Sequence, residues 1–260
     1  MTPEGGGFDS LAGARHQAVP ASTVPAGVRT VSPHSATATR LVLIRHGEAV
    51  CNVSGVCGGP IGCGGLTGPG RQQVGALRDR LTITGELAGA GALYASVLPR
   101  AIETAELVAP ALAGADSDGR RRASLSIETE CLLCELHPGE ADGLTWAEFT
   151  EQFGALDWDA DPGRPIAPGG ESWTGFVNRV AGALDTIVAG HVGQLVVIAC
   201  HAGVIEASLL AKMPVAGGLT GARMQLRTQH ASMTTWEIDG GRWRLLGYND
   251  AAHALGPGKD

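Results

Sequence analysis

Aromatic residues make up only 4% of this 260-residue chain and charged residues only 17%. Neither shortage removes the means to build a core, because hydrophobic residues reach 44%, the balance of a soluble globular protein. No apolar run approaches the length a bilayer demands, which excludes a helical membrane span. The first 38 residues lack a charged segment followed by an apolar one, so no secretory signal is expected and the protein is read as cytoplasmic. Positive charge is in deficit as well, with a net charge of −7. That argues against nucleic acid as the main partner. It also requires that any anionic ligand be drawn in by a local cationic pocket rather than by the field of the whole molecule. The six cysteines form no disulfide framework. Cys51, Cys57 and Cys63 are evenly spaced, Cys131 and Cys134 make a lone C-x-x-C, and Cys200 ends an apolar run. A zinc site ordinarily needs a second ligand pair. Although His137 lies near the C-x-x-C, these thiols are expected to be reduced and structural, with no metal and no cofactor.

Small residues are plentiful, with 39 glycines, and the length suits one domain with a tail. Residues 1–39 are mostly Gly, Ala, Ser, Thr and Pro without apolar periodicity, so a disordered N-terminal tail is expected, leaving 40–260 as the domain. From there apolar runs alternate with helical patterns. Leu41–Ile44 reads as a buried strand, and Thr67 caps a helix with Pro69 in its first turn and a Val74, Leu77, Leu81 stripe. Leu93–Ala95 is a short strand, after which Pro99 opens a second helix. Ser172 caps a third, whose Phe176, Val180, Leu184 and Ile187 share one face, and Leu195–Ala199 is the strongest strand. Ser232–Ile238 and Trp243–Tyr248, parted by Asp239-Gly240-Gly241, read as an antiparallel pair at an edge. The fold class that follows is α/β: a three-layer sandwich, its central sheet mostly parallel with an antiparallel edge, and helices on both faces.

The polar residues at strand ends carry the chemistry. Arg45-His46-Gly47-Glu48 follows the first strand, Arg100 sits in the first helical turn after the second, and His201-Ala202-Gly203 follows the strongest. Three strands thus bring two arginines and two histidines to their carboxyl ends, the edge where open α/β sheets bind ligands beside helix N-termini that favour anions. Guanidinium forks match phosphoryl oxygens, and imidazole serves as donor or nucleophile.

Arg45-His46-Gly47-Glu48 with Asn52 resembles the signature of the histidine phosphatase superfamily, the phosphoglycerate mutase-like fold. Ser96–Ala101 with Thr104-Ala105, Leu133-Cys134-Glu135 with Asp142–Thr145, Pro168–Ser172, His201–Ile205, and Tyr248–Asp250 with His253 are similar to further family segments in the same order. The likeness spans about residues 40 to 255. It implies that His46 attacks phosphorus to form a phosphohistidine. Arg45, Arg100 and His201 would hold the oxygens, with Asn52 and Ala202 at the substrate, and Glu135 would act as general acid and then base, without metal. Glu140 and Asp142 are the local alternatives for the acid. Ala49 stands where the family commonly has Thr, and Cys63 and Gly65 stand where an acidic residue and a proline are usual, so the loop from Gly55 to Gly65 is unusual for the family. Trp146, Trp158 and Trp173 are expected to pack a core or lid, and His230 and His253 to be structural.

The leading expectation is a phosphatase acting on a small phosphorylated metabolite. A mutase-like phosphotransferase is disfavoured because Arg164 is the one cation between Glu135 and Gly170, where a second substrate anion would need holding. A phospho-ligand binding module without turnover is the third reading. The sequence leaves the substrate and the oligomeric state open.

Overall fold

Leu41, Val42, Leu43 and Ile44 form an unbroken apolar run because both faces of their strand are covered, and all four are fully buried. The computed structural model describes residues 37–114, 118, 124–213 and 226–254, within one compact unit, His34–Asp260. Nearly all of the expected tail lies outside the described residues, and Thr39 already belongs to the first strand.

Among the described residues one sheet has six strands: β1 (Thr39–Arg45), β2 (Ala92–Ala95), β3 (Ile127–Thr129), β4 (Leu195–Cys200), β5 (Met233–Asp239) and β6 (Arg242–Asp250). Their spatial order is β3-β2-β4-β1-β5-β6. The first four run parallel, while β5 pairs antiparallel with both β1 and β6. The expected architecture is therefore the observed one, with the antiparallel pair at the predicted edge.

The helices are α1 (Val50–Ser54), α2 (Gly68–Thr84), α3 (Pro99–Leu112), α4 (Trp146–Phe153), α5 (Trp173–Gly190) and α6 (Ala202–Lys212). On one face of the sheet Val42, Ile44, Leu93 and Val197 meet Val74, Leu77 and Leu81 of α2 and Ala105, Val108 and Leu112 of α3. On the other, Leu41, Leu43, Val196 and Ile198 meet Phe176, Val180 and Leu184 of α5 and Val204 and Ile205 of α6. A strand enclosed this way has no polar face to show, which is why β1 and β4 lack alternation.

Helix starts follow capping chemistry. Gly70 N donates to Thr67 Oγ1 at 2.9 Å and Gly175 N to Ser172 Oγ at 3.1 Å, each satisfying an amide that has no partner within its helix. Helix α4 was not foreseen, though Thr145 and Glu148 close a reciprocal capping box at 3.2 Å and 2.8 Å that the T-x-x-E spacing encodes. Its Phe149 joins Cys57, Ala141, Ile166 and Ala167 in a small separate core. Strand β3 was also missed, because three residues with mixed burial carry no readable period.

Leu77 and Ile83 lie on the same helix, the first fully buried and the second 85% exposed. Urea unfolding should show Leu77→Ala destabilised by about 2–5 kcal/mol, and Ile83→Ala changed by no more than about 0.5 kcal/mol. Equal losses would place the core on the wrong face of α2.

Candidate active site

Where β1 ends, the chain is still held by its neighbours. Arg45 N donates to Ser232 O at 3.1 Å and His46 N to Cys200 O at 2.9 Å, so His46 leaves the centre of the sheet on a fixed backbone. Its ring is 3% exposed. Nδ1 lies 2.6 Å from Gly47 O; a carbonyl only accepts, so the proton belongs on Nδ1. Nε2 then carries the lone pair and accepts from Arg100 Nε at 3.2 Å. These partners assign the neutral tautomer, which leaves the free lone pair on Nε2. Burial, followed by the charges of Arg100 and Arg45, holds His46 well below the ordinary histidine range despite the opposing Gly47 bond.

Arg100 is the second residue of α3, behind Pro99, and is 3% exposed. Its Nη1 donates to Gly58 O at 2.7 Å. A Cβ on Gly58 would lie 2.6 Å from Cys51 Sγ and 3.3 Å from Arg100 Nη1, so a side chain there would push this loop away from Cys51 and loosen its hold on the guanidinium. Arg45 donates through Nη1 to Thr228 O, while its buried Nε has no partner among the described residues. His201, fully buried, packs edge-on to His46 with ring centroids 5.2 Å apart, and neither of its ring nitrogens has a partner among the described residues. Burial and the nearby arginines keep it neutral too. Buried polar atoms without partners are costly, and here they surround His46.

Glu135 comes from the loop after β3. Its Oε2 accepts from Gly203 N at 3.1 Å and its Oε1 from Leu136 N at 3.3 Å. The carboxyl group thus sits against the first turn of α6, whose free amide at Gly203 serves as its donor. A Cβ on Gly203 would stand 2.1 Å from Glu135 Oε1, so a side chain there would displace the carboxyl group from its place. Arg179 of α5 fixes the loop from behind, donating to Leu132 O at 2.7 Å, Cys134 O at 3.2 Å and Glu135 O at 3.3 Å. Arg179 is itself paired through two 2.7 Å contacts with Glu171.

Arg45, His46, Asn52, Arg100 and Glu135 line one cavity of about 440 Å³. Ala202 does not line it, whereas its neighbour Gly203 does, and His201 lies buried beside His46. Asn52 Oδ1 accepts from Ala49 N at 3.0 Å and meets His230 Nε2 at 3.2 Å. The alternative acids are not in the cavity lining. Asp142 accepts from Ile61 N at 2.8 Å and Gly62 N at 2.9 Å, and Glu140 is exposed.

The cavity also holds residues that sequence reading left out of the site. His230, read as structural, has its ring 5.8 Å from that of His46 and lines the cavity, with burial and Arg45 lowering its pKa to about 4. An antiparallel neighbour of β1 must begin where β1 ends, so the residues just before β5 were bound to meet His46; the edge pairing contained that signal. The tryptophans pack as expected, Trp146 against Phe149 and Trp158 and Trp173 against buried clusters, and all three also line the cavity.

Residues 41–251 match the family model described as histidine phosphatase superfamily (branch 1). The chain is similar to phosphoglycerate mutase-like protein 4 of Arabidopsis thaliana, 27% identical over 221 residues, 82% of this chain and 86% of that one. It is also similar to a metal-independent phosphoserine phosphatase of the same plant, 29% identical over 219 residues and 83% of each chain. Among solved structures it resembles YhfR of Bacillus stearothermophilus, with 30% identity, a TM-score of 0.68, and coverage of 83% of this chain and 98% of that one.

Because His46 and His201 are held neutral below the ordinary histidine range, the unfolded chain binds more protons than the folded one on acidification. Stability is full above about pH 6.5 and falls below it, by up to about 1.4 kcal/mol per pH unit for each histidine. Urea unfolding at about pH 7.5 and about pH 5.5 should show this fall, with a shallower one in His46→Gln. Identical pH slopes for the two proteins would show that His46 is not held neutral in the folded state.

Proposed function

The chain belongs to the histidine phosphatase superfamily, branch 1, and from that membership we propose that it hydrolyses phosphomonoesters of small metabolites through a phosphohistidine on His46. The observation that carries the proposal is the bare Nε2 of a buried neutral imidazole, 3.2 Å from Arg100 Nε, in the same cavity as Arg45 and the Glu135 carboxylate. A substrate phosphoryl group would take the Arg100 N–H in place of that lone pair, freeing Nε2 to attack in line. Phosphoryl transfer asks mainly for positioning and charge neutralisation. Arg45, Arg100 and the single N–H of the neutral His201 ring supply donors for the oxygens. Glu135 gives its proton to the leaving oxygen, which departs as the alcohol. It then takes a proton from the water that attacks the phosphohistidine, releasing phosphate and restoring His46.

A mutase returns the phosphoryl group to substrate and needs further cations to hold a second anionic group. Arg164 does not serve: its guanidinium donates to Ala155 O at 3.1 Å and Phe153 O at 2.7 Å. The wall beyond the phosphoryl pocket is Leu136, Trp146, Trp158, Ile166 and Trp173, which suits a substrate whose remainder is apolar or flat. The reading also takes the protein to be cytoplasmic, and the six free cysteines accord with a reducing compartment. Among the described residues no helix is long and apolar enough to cross a membrane.

His46→Ala should lose turnover, and acid-quenched wild type should carry acid-labile phosphate on His46. Substantial activity in the variant would end the covalent mechanism. Glu135→Ala should slow an alkyl phosphate by about 10²–10⁴-fold and nitrophenyl phosphate far less, since a phenolate departs without a proton. The ratio of the two rates cancels any loss of folded protein, and a ratio equal to that of wild type would move the acid elsewhere.

A further inference from the structure

Behind the cavity the chain folds a second polar cluster that the phosphatase chemistry leaves unused. Cys131 and Cys134 flank a single 3₁₀ turn, closed by Cys134 N donating to Cys131 O at 3.0 Å. Their sulfurs lie 3.8 Å apart, and His137 Nε2 lies 3.6 Å from Cys131 Sγ. None of the three lines the catalytic cavity. We propose that Cys131, Cys134 and His137 form a binding site for one thiophilic divalent cation of the zinc class, with water or an external ligand completing the tetrahedron.

The spacing is what a tetrahedral centre requires. Bonds of about 2.3 Å to sulfur and 2.0–2.1 Å to nitrogen place two sulfurs about 3.8 Å apart and a sulfur and a nitrogen about 3.5–3.6 Å apart. Two edges of the site already have those lengths. The ligand atoms of all three residues lie within 4.8 Å of one another, so the third edge needs about an ångström of closing at most. In the sequence the C-x-x-C lacked a second ligand pair and the nearby His137 made a site only conceivable; the fold brings that histidine onto Cys131.

Supporting groups around the ligands fit the same purpose. His137 Nδ1 lies 3.6 Å from Glu171 Oε2, and that carboxylate is fixed by Arg179 and by His137 N at 2.9 Å. A carboxylate behind the far nitrogen of a ligating histidine orients the ring and raises its basicity. Ser96 Oγ donates to Cys134 Sγ at 3.3 Å, a donor suited to a thiolate. Cys131 is exposed and the His137 side chain is 39% exposed, leaving a path for the ion and its fourth ligand. A redox pair needs only the two sulfurs, with His137 at most tuning a thiol, whereas a cation uses all three ligand atoms and the carboxylate behind the histidine, so the cluster favours a cation. Glu135 lies between Cys134 and His137 in the chain, so occupancy would pin the segment that carries it without placing any ligand in the cavity.

The test is titration of reduced, metal-free, full-length protein with Co²⁺ alone. One equivalent should give the near-ultraviolet thiolate charge-transfer band and the intense visible bands of tetrahedral cobalt, both removed by Zn²⁺. Cys131→Ser, an exposed position that leaves the core intact, and Cys131→Ser with Cys134→Ser should lose the charge-transfer band at one equivalent. His137→Ala should lose the tetrahedral visible spectrum. Cys63→Ser and His46→Ala should keep both, the second whether or not His46 is the nucleophile. Absence of the band in wild type, or its persistence in the double cysteine variant, overturns the site. Air oxidation that consumes two thiols in protein showing no band when reduced would assign the pair to redox chemistry instead.

Discussion

The hydrogen bond from Arg100 Nε to His46 Nε2, at 3.2 Å, joins a permanent cation to an imidazole that cannot accept a second positive charge beside it. A guanidinium stays protonated at any working pH, so the pair exists only while His46 is neutral. Burial acts in the same direction, but a buried ring must still satisfy its N–H, and Gly47 O does so from the next residue. Much of the local structure serves this arrangement. Pro99 fixes the first turn of α3 so that Arg100 points back toward β1, and the glycine loop comes close enough for Gly58 O to accept from the same guanidinium. Thr104, one turn along α3, accepts from Gly47 N at 3.3 Å and donates to Arg100 O at 2.8 Å, tying the signature to the helix that supplies its cation.

The sheet order gathers the groups that the chain keeps far apart. Arg45 pairs with Cys200 in the β1–β4 register, so the next residues, His46 and His201, emerge side by side and their rings meet edge-on. The β1–β5 pairing matches Ile44 with Met233, and antiparallel direction brings the residues before β5 to the same point. Three strands crowd their carboxyl or amino ends onto one spot, and the net charge of −7 matters little there. Two arginines in a low-dielectric cleft dominate the field an anion feels.

Most of the frame was legible because strong periodicity and capping chemistry are local signals. Continuous apolar runs gave β1 and β4, the Thr67 and Ser172 caps gave α2 and α5, and strand-end residues gave Arg45, His46, Arg100 and His201. Residues whose place depends on pairing or on long-range side-chain contacts were not legible from their neighbours. His230 has no motif of its own and reaches the cavity through strand direction. The three tryptophans read as packing residues, yet the small core around Phe149 turns their segment over the phosphoryl pocket. Arg179 belongs to no motif, and its partners, Leu132, Cys134, Glu135 and Glu171, lie up to 47 residues away in the chain. His137 meets Cys131 only because the 3₁₀ turn and the Glu171 contact fold the loop back on itself.

The proposed nucleophile and the proposed acid are held by unequal means. His46 extends from a strand paired on both sides, whose ladder would have to break for the ring to move. Glu135 belongs to no helix or strand, and its place rests on Gly203 N, Leu136 N and the carbonyl contacts of Arg179. Each such bond contributes about 0.5–1.5 kcal/mol, or about 1.5–3 kcal/mol where a charged group takes part, far less than the cooperative stability of a central sheet. Local opening is drawn from the weakly held end of a structure. The loop carrying Glu135 is therefore the more weakly held side of the site, and under the proposed mechanism its opening would withdraw the proton donor while leaving His46 and both arginines in place. The rigidity of the segment from Cys131 to His137, rather than that of the sheet, is then what keeps the two proposed roles together.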